Sequence, residues 1–246
     1  MQTIAANLGS MLTPLGNPQN LYLYGKSGMD MGSFVLLMLP YSILSLALLA
    51  LWAVGLCRRG AEISMAHSAA AASPNKALLS LYSILFVLCL LVVLRVLPYG
   101  IAFVAVLACV LLADRNTLCR VDYSLILAFV ALFIFIGNLG RFAAFSGWLQ
   151  HILTGHEVLV SVLASQVTSN VPAAILLSGF TENIRSLIIG TNLGGLGTLI
   201  ASMASLISYR EIARELPLQK GRYFALFTVS NILFLTVLMG AWALAG

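Results

Sequence analysis

The sequence predicts an all-α integral membrane protein built from two copies of one repeat, of which the first copy is truncated. Of its 246 residues, 61% are hydrophobic and 9% are charged, whereas soluble domains usually carry about 25% charged residues. Apolar intervals of about 18 to 24 residues recur along the chain, and each is long enough to cross a hydrocarbon core of about 30 Å. The net charge of +5 lies in the loops between them, so it indicates topology and not nucleic-acid binding.

The repeat is visible in a glycine-broken apolar segment at 191–209, which has a diverged copy at 6–24. At a constant offset of 185 residues the copies share Asn7/Asn192, Leu8/Leu193, Gly9/Gly194, Thr13/Thr198, Leu21/Leu206 and Tyr24/Tyr209. Each copy is followed by one long apolar segment, at 34–56 and 223–245. If the repeats are equivalent, about 110 residues of the first repeat are missing upstream, and we expect the chain to be a fragment.

Three regions follow in order along the chain. Residues 1–57 form the end of the first repeat, with a broken helix and one span. The Ala/Ser-rich segment 58–76 is expected to be a cytoplasmic linker. Residues 77–246 form the second repeat, with three spans at 77–94, 96–113 and 123–140, a re-entrant hairpin at 158–181, a broken helix at 186–209 and a final span at 223–245.

The interval 158–181 can be read either as a kinked span or as a re-entrant hairpin. Its polar centre, QVTSNVPA, leaves apolar arms of about eight residues, each about 12 Å long if helical. With a hairpin, nine basic residues face the cytoplasm and four face outside, which agrees with the positive-inside rule. We therefore expect a hairpin, with residues 58–76 and 210–222 in the cytoplasm and with 141–157 and Gly246 outside.

Three polar interruptions at membrane depth are the candidate binding regions: 7–20, the hairpin tip 168–172, and 192–198. Non-helical backbone at that depth must line a cavity or be buried in protein. Helix ends expose amide groups that attract anions and carbonyl groups that attract small cations. We expect Asn170 and Thr198 to direct oxygen atoms into one shared cavity. For Gly190 and Gly194, a GxxxG helix-packing face is an equally good interpretation.

No charged or histidine side chain falls inside a predicted span. This argues, for this part of the protein, against a proton relay built on an intramembrane carboxylate. Neutral oxygen atoms suit sodium better. It also argues against an intramembrane protease, because Ser169 would lack an activating base. We expect no enzyme, no cofactor other than a possible sodium ion, and no other metal.

At these residues the chain resembles the ion transporter superfamily, in particular divalent anion:sodium symporters, citrate-transporter-like permeases and arsenite permeases. The resemblance implies an inverted-repeat secondary transporter with broken helices, a re-entrant hairpin and, in the family, a homodimer. The implied substrate-binding residues are Ser169, Asn170, Val171, Thr13 and Pro14. The implied ion-binding residues are Asn7, Gly9, Asn17, Asn20, Thr168, Asn192, Gly194, Gly195, Gly197 and Thr198.

Two positions depart from the dicarboxylate carriers and arsenite permeases. Val171 replaces a typical threonine at the hairpin tip of the carriers, and Asn17 replaces the aspartate of a GDPPN-like motif found in several arsenite-permease relatives. The expected function is sodium-coupled transport of a small anion, a carboxylate, across the cell membrane by a multi-pass protein. The expected partners are this anion, the lipid bilayer and the missing part of the first repeat, without nucleic acid. The alternatives are an arsenite permease or cation/proton antiporter of the same superfamily, and a non-transporting scaffold or inactive truncated fragment.

Overall fold

A computed structural model describes residues 2–57, 76–121 and 123–245. This described part is entirely helical, which confirms the predicted all-α class. Three of its helices are long and apolar enough to cross a membrane, at Met31–Gly55, Lys76–Val93 and Lys220–Leu244. Nearly all of the predicted linker 58–76 lies outside the described residues, and the sidedness of the loops stays a prediction.

The chain divides into two compact units, of which the first comprises residues 1–58 and 130–246. Its helices include two broken pairs, a helical hairpin and two long helices. In chain order they are α1 (Gln2–Gly9), a 3-10 turn (Ser10–Leu12), α2 (Pro18–Ser27), α3 (Met31–Cys57), then, after the second unit, the end of α7 (Tyr123–Leu139), α8 (Ala143–Leu153), α9 (Glu157–Thr168), α10 (Asn170–Leu177), α11 (Ile184–Leu193), α12 (Met203–Glu215) and α13 (Lys220–Ala245).

The core of the first unit is made by apolar side chains on α3, α11 and α13. Phe34, Met38, Leu187, Ile188 and Phe234 are all 1% exposed or less. Residues on the outer faces of α3 and α13 are exposed although they are apolar, as expected where lipid replaces water as the solvent. The buried core therefore surrounds the broken helices and fixes their positions.

The second unit comprises residues 59–129 and contains α4 (Lys76–Val93), α5 (Tyr99–Ala113), α6 (Arg115–Leu118) and the start of α7. α5 is shorter than the predicted span 96–113, because Pro98 precedes its first turn and Arg95 adopts a positive φ of 61°. Its 15 residues reach about 22 Å, less than the hydrocarbon core of about 30 Å.

The loop predicted at 141–157 contains a helix that the sequence did not suggest. α8 follows α7 after a short break, and the two helices are bent by 98°. Phe145 of α8 packs edge-on against Phe180 at a centroid distance of 5.9 Å. The segment was read as a loop because it is too short to span and is flanked by Arg141 and His156.

Candidate functional site

The first break is shaped by Asn17 and Gly16. Asn17 caps α2 by accepting a hydrogen bond from the amide of Asn20 at 2.9 Å, and Pro18 occupies the first helical position, a common start signal. A Cβ atom on Gly16 would overlap the carbonyl oxygen of Ser10. The chain can therefore turn between α1 and α2 only with glycine at this position.

The hairpin tip lies at Ser169, where the backbone adopts φ 75° and ψ 153°. Gly190 and Gly194 of α11 lie against α9, next to Ser161 and Ser165, whereas Asn170 lies beside Gly195. These contacts make α11 parallel to α9 and antiparallel to α10. The helices α9 and α10 therefore run in opposite directions on either side of the tip.

The second break runs from Gly194 to Ser202 and is held by Gln166 of α9. The Nε2 atom of Gln166 donates to the carbonyl oxygens of Gly194 at 3.0 Å and Leu196 at 2.9 Å. Its Oε1 atom accepts from the amide of Thr198 at 2.9 Å, and the Thr198 hydroxyl donates to the Gln166 carbonyl at 3.1 Å. The hairpin and the second break are thus tied to each other.

Buried polar side chains join the two breaks. Asn192 donates to Asn20 Oδ1 at 2.6 Å and accepts from Asn17 Nδ2 at 3.2 Å. Asn7 accepts from the Ser202 hydroxyl at 2.8 Å and donates to Ser205 at 3.4 Å. Asn7 and Asn192 match at the offset of 185 residues, as do Asn17 and Ser202, and Asn20 and Ser205. Equivalent residues thus make equivalent contacts across the two breaks.

A cavity of about 260 Å³ lies between the breaks and the hairpin tip. It is lined by Ala6, Asn7, Ser10, Gly16, Asn17, Pro18, Gln19, Asn170, Val171, Asn192, Gly195, Ser202, Met203 and Ala204. The first residues of α2, α10 and α12 are all in this lining. Three helix N-termini, each with a partial positive charge, therefore converge on one small space.

Six of the predicted site residues line this cavity: Asn7, Asn17, Asn170, Val171, Asn192 and Gly195. Asn20 lies directly behind it, fully buried and bonded to Asn192. The cavity lining does not include Gly9, Thr13, Pro14, Thr168, Ser169, Gly194, Gly197 or Thr198. The expectation that Asn170 and Thr198 share a cavity was wrong, because Thr198 is exposed and turns toward Gln166.

The two glycines left open between packing and binding lie in a tight helix contact. A Cβ atom on Gly190 would lie 2.6 Å from Ser161 Cβ, and one on Gly194 would lie 2.7 Å from Ser165 Oγ. Side chains in cores do not approach so closely. The packing interpretation therefore accounts for both residues.

Sequence reasoning missed Gln166, Ser10 and Ser202. Ser202 could have been found from the offset of 185 residues, since it corresponds to Asn17. Gln166 carried a weaker signal, a single amide side chain one turn before the hairpin tip. Its partners are backbone carbonyls, which a sequence does not reveal.

The carboxyl group closest in sequence to the end of α2 is that of Asp30, before α3. It accepts hydrogen bonds from the Ser33 hydroxyl at 2.6 Å and the Ser33 amide at 3.0 Å. These bonds lower the pKa of Asp30 below its usual value of 3.8. Asp30 is absent from the cavity lining, so its charge stabilises the start of α3.

Broken helices that face a helical hairpin across a polar cavity define a class of membrane transport protein. The family described as citrate transporter matches residues 1–186 of this chain. The chain therefore belongs to the citrate transporter family, which confirms the predicted resemblance and the class of transport proteins instead of enzymes.

Two relatives extend this comparison. An uncharacterized transporter of Methanocaldococcus jannaschii is 33% identical over 239 residues, covering 96% of this chain and 63% of the relative. The inner membrane protein YbiR of Escherichia coli K12 is 32% identical over 218 residues, covering 85% of this chain and 56% of the relative. The chain thus spans about three-fifths of the length of these relatives. No solved structure matches it significantly.

Proposed function

We propose that this chain forms the anion-binding part of a multi-pass secondary transporter in the cell membrane, with a small carboxylate as its substrate. The observation that supports this proposal is the convergence of the N-termini of α2, α10 and α12 on one cavity. Helix N-termini attract anions through their partial positive charge and their unpaired amide groups. The cavity is smaller than typical drug-sized pockets of about 300 to 1,000 Å³, which favours a small substrate.

The polar side chains around the cavity suit a carboxylate. Asn170 and Gln19 carry amide groups that can donate, and Ser10 and Ser202 carry hydroxyl groups. Among the described lining residues, none carries a charge. Binding would therefore rely on oriented dipoles and hydrogen bonds, from which a substrate can dissociate more readily than from a buried ion pair.

Sodium coupling is the second part of the proposal. α1 ends two residues after Asn7, and α11 ends one residue after Asn192. Helix C-termini have a partial negative charge and free carbonyl groups. A small cation beside the anion would be held by such carbonyls together with asparagine oxygen atoms, as in other transporters with broken helices.

The inverted repeat supports this mechanism. Thr3 of α1 bonds to Ser208 of α12 at 2.8 Å, and Asn7 of the same helix bonds to Ser202, so the two helices are antiparallel. Asn20 of α2 bonds to Asn192 in the same way. We propose that a pseudo-two-fold axis relates the two copies, so that the cavity can open alternately to each side.

Thermal shift of the purified chain tests the proposal. We expect citrate or another carboxylate to raise the melting temperature, and to do so more in sodium than in choline at equal ionic strength. Stabilisation by arsenite alone would favour the arsenite-permease alternative, and a response to pH without any anion would favour the antiporter. Failure of every anion to shift the melting temperature contradicts the proposal.

A further inference from the structure

The amide nitrogen of Gln166 lies among more carbonyl oxygens than it can satisfy. It is 2.9 Å from Leu196 O, 3.0 Å from Gly194 O and 3.2 Å from Val162 O. A side-chain amide has two hydrogen atoms for these three acceptors. Such a ring of carbonyls around one centre is the arrangement that unwound helices in transporters offer to a cation.

The orientation of the amide follows from its partners. The Thr198 amide is a donor, so it requires the oxygen atom of Gln166, whereas the three carbonyls require the nitrogen. Gly197 leaves the space for this group, because a Cβ atom there would overlap Gln166 Oε1 and the residue has a φ of 109°. The second break is thus built around the Gln166 side chain.

We propose that the Gln166 amide takes the place of a cation at the second break, so that this stretch is held closed without an ion. The carbonyl groups of Gly194 and Leu196 are then occupied by N–H donors. The predicted ion-binding role of Gly194, Gly197 and Thr198 is replaced by this internal contact. A coupling sodium ion binds on the Asn7 side of the cavity. Gln166 is a positioning residue that reduces the number of coupled ions.

A charge-reversing test uses Gln166→Glu, which removes the N–H donors and places a carboxylate beside three carbonyl oxygens. This variant needs a cation, and we expect sodium to raise its melting temperature by about 3 to 6 °C more than that of the parent, at a sodium concentration about ten times its Kd. Gln150→Glu is the matched control, because Gln150 is exposed on α8. Choline chloride at equal ionic strength gives the baseline.

Two results would overturn the proposal. Gln166→Glu could respond to sodium no more than the parent and Gln150→Glu do, in which case the carbonyl ring binds no cation. Alternatively, Gln166→Glu could lose a sodium response that the parent has, in which case Gln166 is itself a sodium ligand. All measurements are made without carboxylates, so failure of the anion proposal has no effect on them.

Hydrogen exchange of the parent chain tests the same idea without a variant. The Thr198 amide is protected by Gln166 Oε1, and we expect peptides covering residues 194–202 to exchange equally in sodium and in choline. Protection of these peptides that rises with sodium would show that an ion closes the break, and would overturn the proposal even if Gln166→Glu does not fold.

Discussion

The hydrogen bond between Asn20 and Asn192 gives the sharpest test of how the two breaks are joined. Asn20 is fully buried, and Asn192 is 4% exposed. Asn192→Ala leaves Asn20 Oδ1 without its partner at 2.6 Å. An unsatisfied buried acceptor costs about 1 to 3 kcal/mol, which in a chain of this size lowers the melting temperature by about 2 to 12 °C.

A double-mutant cycle separates this bond from the other contacts of each residue. Asn20 also donates to Met11 O and Thr13 O at 3.4 and 3.3 Å, so Asn20→Ala is destabilising in its own right. Once Asn20 is alanine, Asn192→Ala leaves no orphaned Asn20 oxygen and should cost less. We expect a coupling free energy of about 1 to 3 kcal/mol between the two positions, within the range found for residues in contact.

The assay is unfolding of the four proteins in one detergent, followed by melting temperature and by denaturant titration. Asn138→Ala and Asn183→Ala form the control cycle, because both side chains are exposed and no described hydrogen bond joins them. The control should be additive within about 0.5 kcal/mol. Equal additivity for Asn20 and Asn192 would refute the bond between the breaks.

Three further predictions concern the hairpin tip, its neighbour and the start of α3. Asn170→Ala should weaken carboxylate binding in calorimetry, whereas Thr198→Val should lower the melting temperature and keep binding, because only Asn170 lines the cavity; the opposite ranking contradicts the site. Ser169→Gly should raise stability by about 1 kcal/mol, since a φ of 75° strains any other residue; a lower melting temperature argues against the strained tip. The depressed pKa of Asp30 gives stability that is present above pH 3.8 and is lost as pH falls through the lowered value; Ser33→Ala should move this acid loss to higher pH in melting curves, and an unchanged profile would exclude the Ser33 contact.

The helices that cross or approach the bilayer were largely predictable, because runs of apolar residues are set by hydrocarbon thickness. α3, α4 and α13 begin and end within three residues of the predicted spans at 34–56, 77–94 and 223–245. α8 was missed because its apolar residues share a short segment with polar ones. Such a helix is stabilised by packing that periodicity alone does not reveal.

The site was predictable where one residue type had a clear local role. Asn17 and Pro18 form a helix start signal, and the polar residues around Ser169 interrupt an apolar run. The partners of Thr198 were not predictable, because its position depends on the side chain of Gln166 more than thirty residues earlier. Long-range contacts to backbone atoms leave no pattern in the sequence.

The uncharged lining of the cavity has a consequence for how acidity would regulate this protein. None of the described lining side chains changes its protonation state in the physiological range. The electrostatic potential offered by the three helix N-termini is therefore constant across that range. A polyprotic ligand such as a tricarboxylate would be selected by its own ionisation state, so a titration of binding against pH would trace the acid constants of the ligand and would change when the ligand is changed.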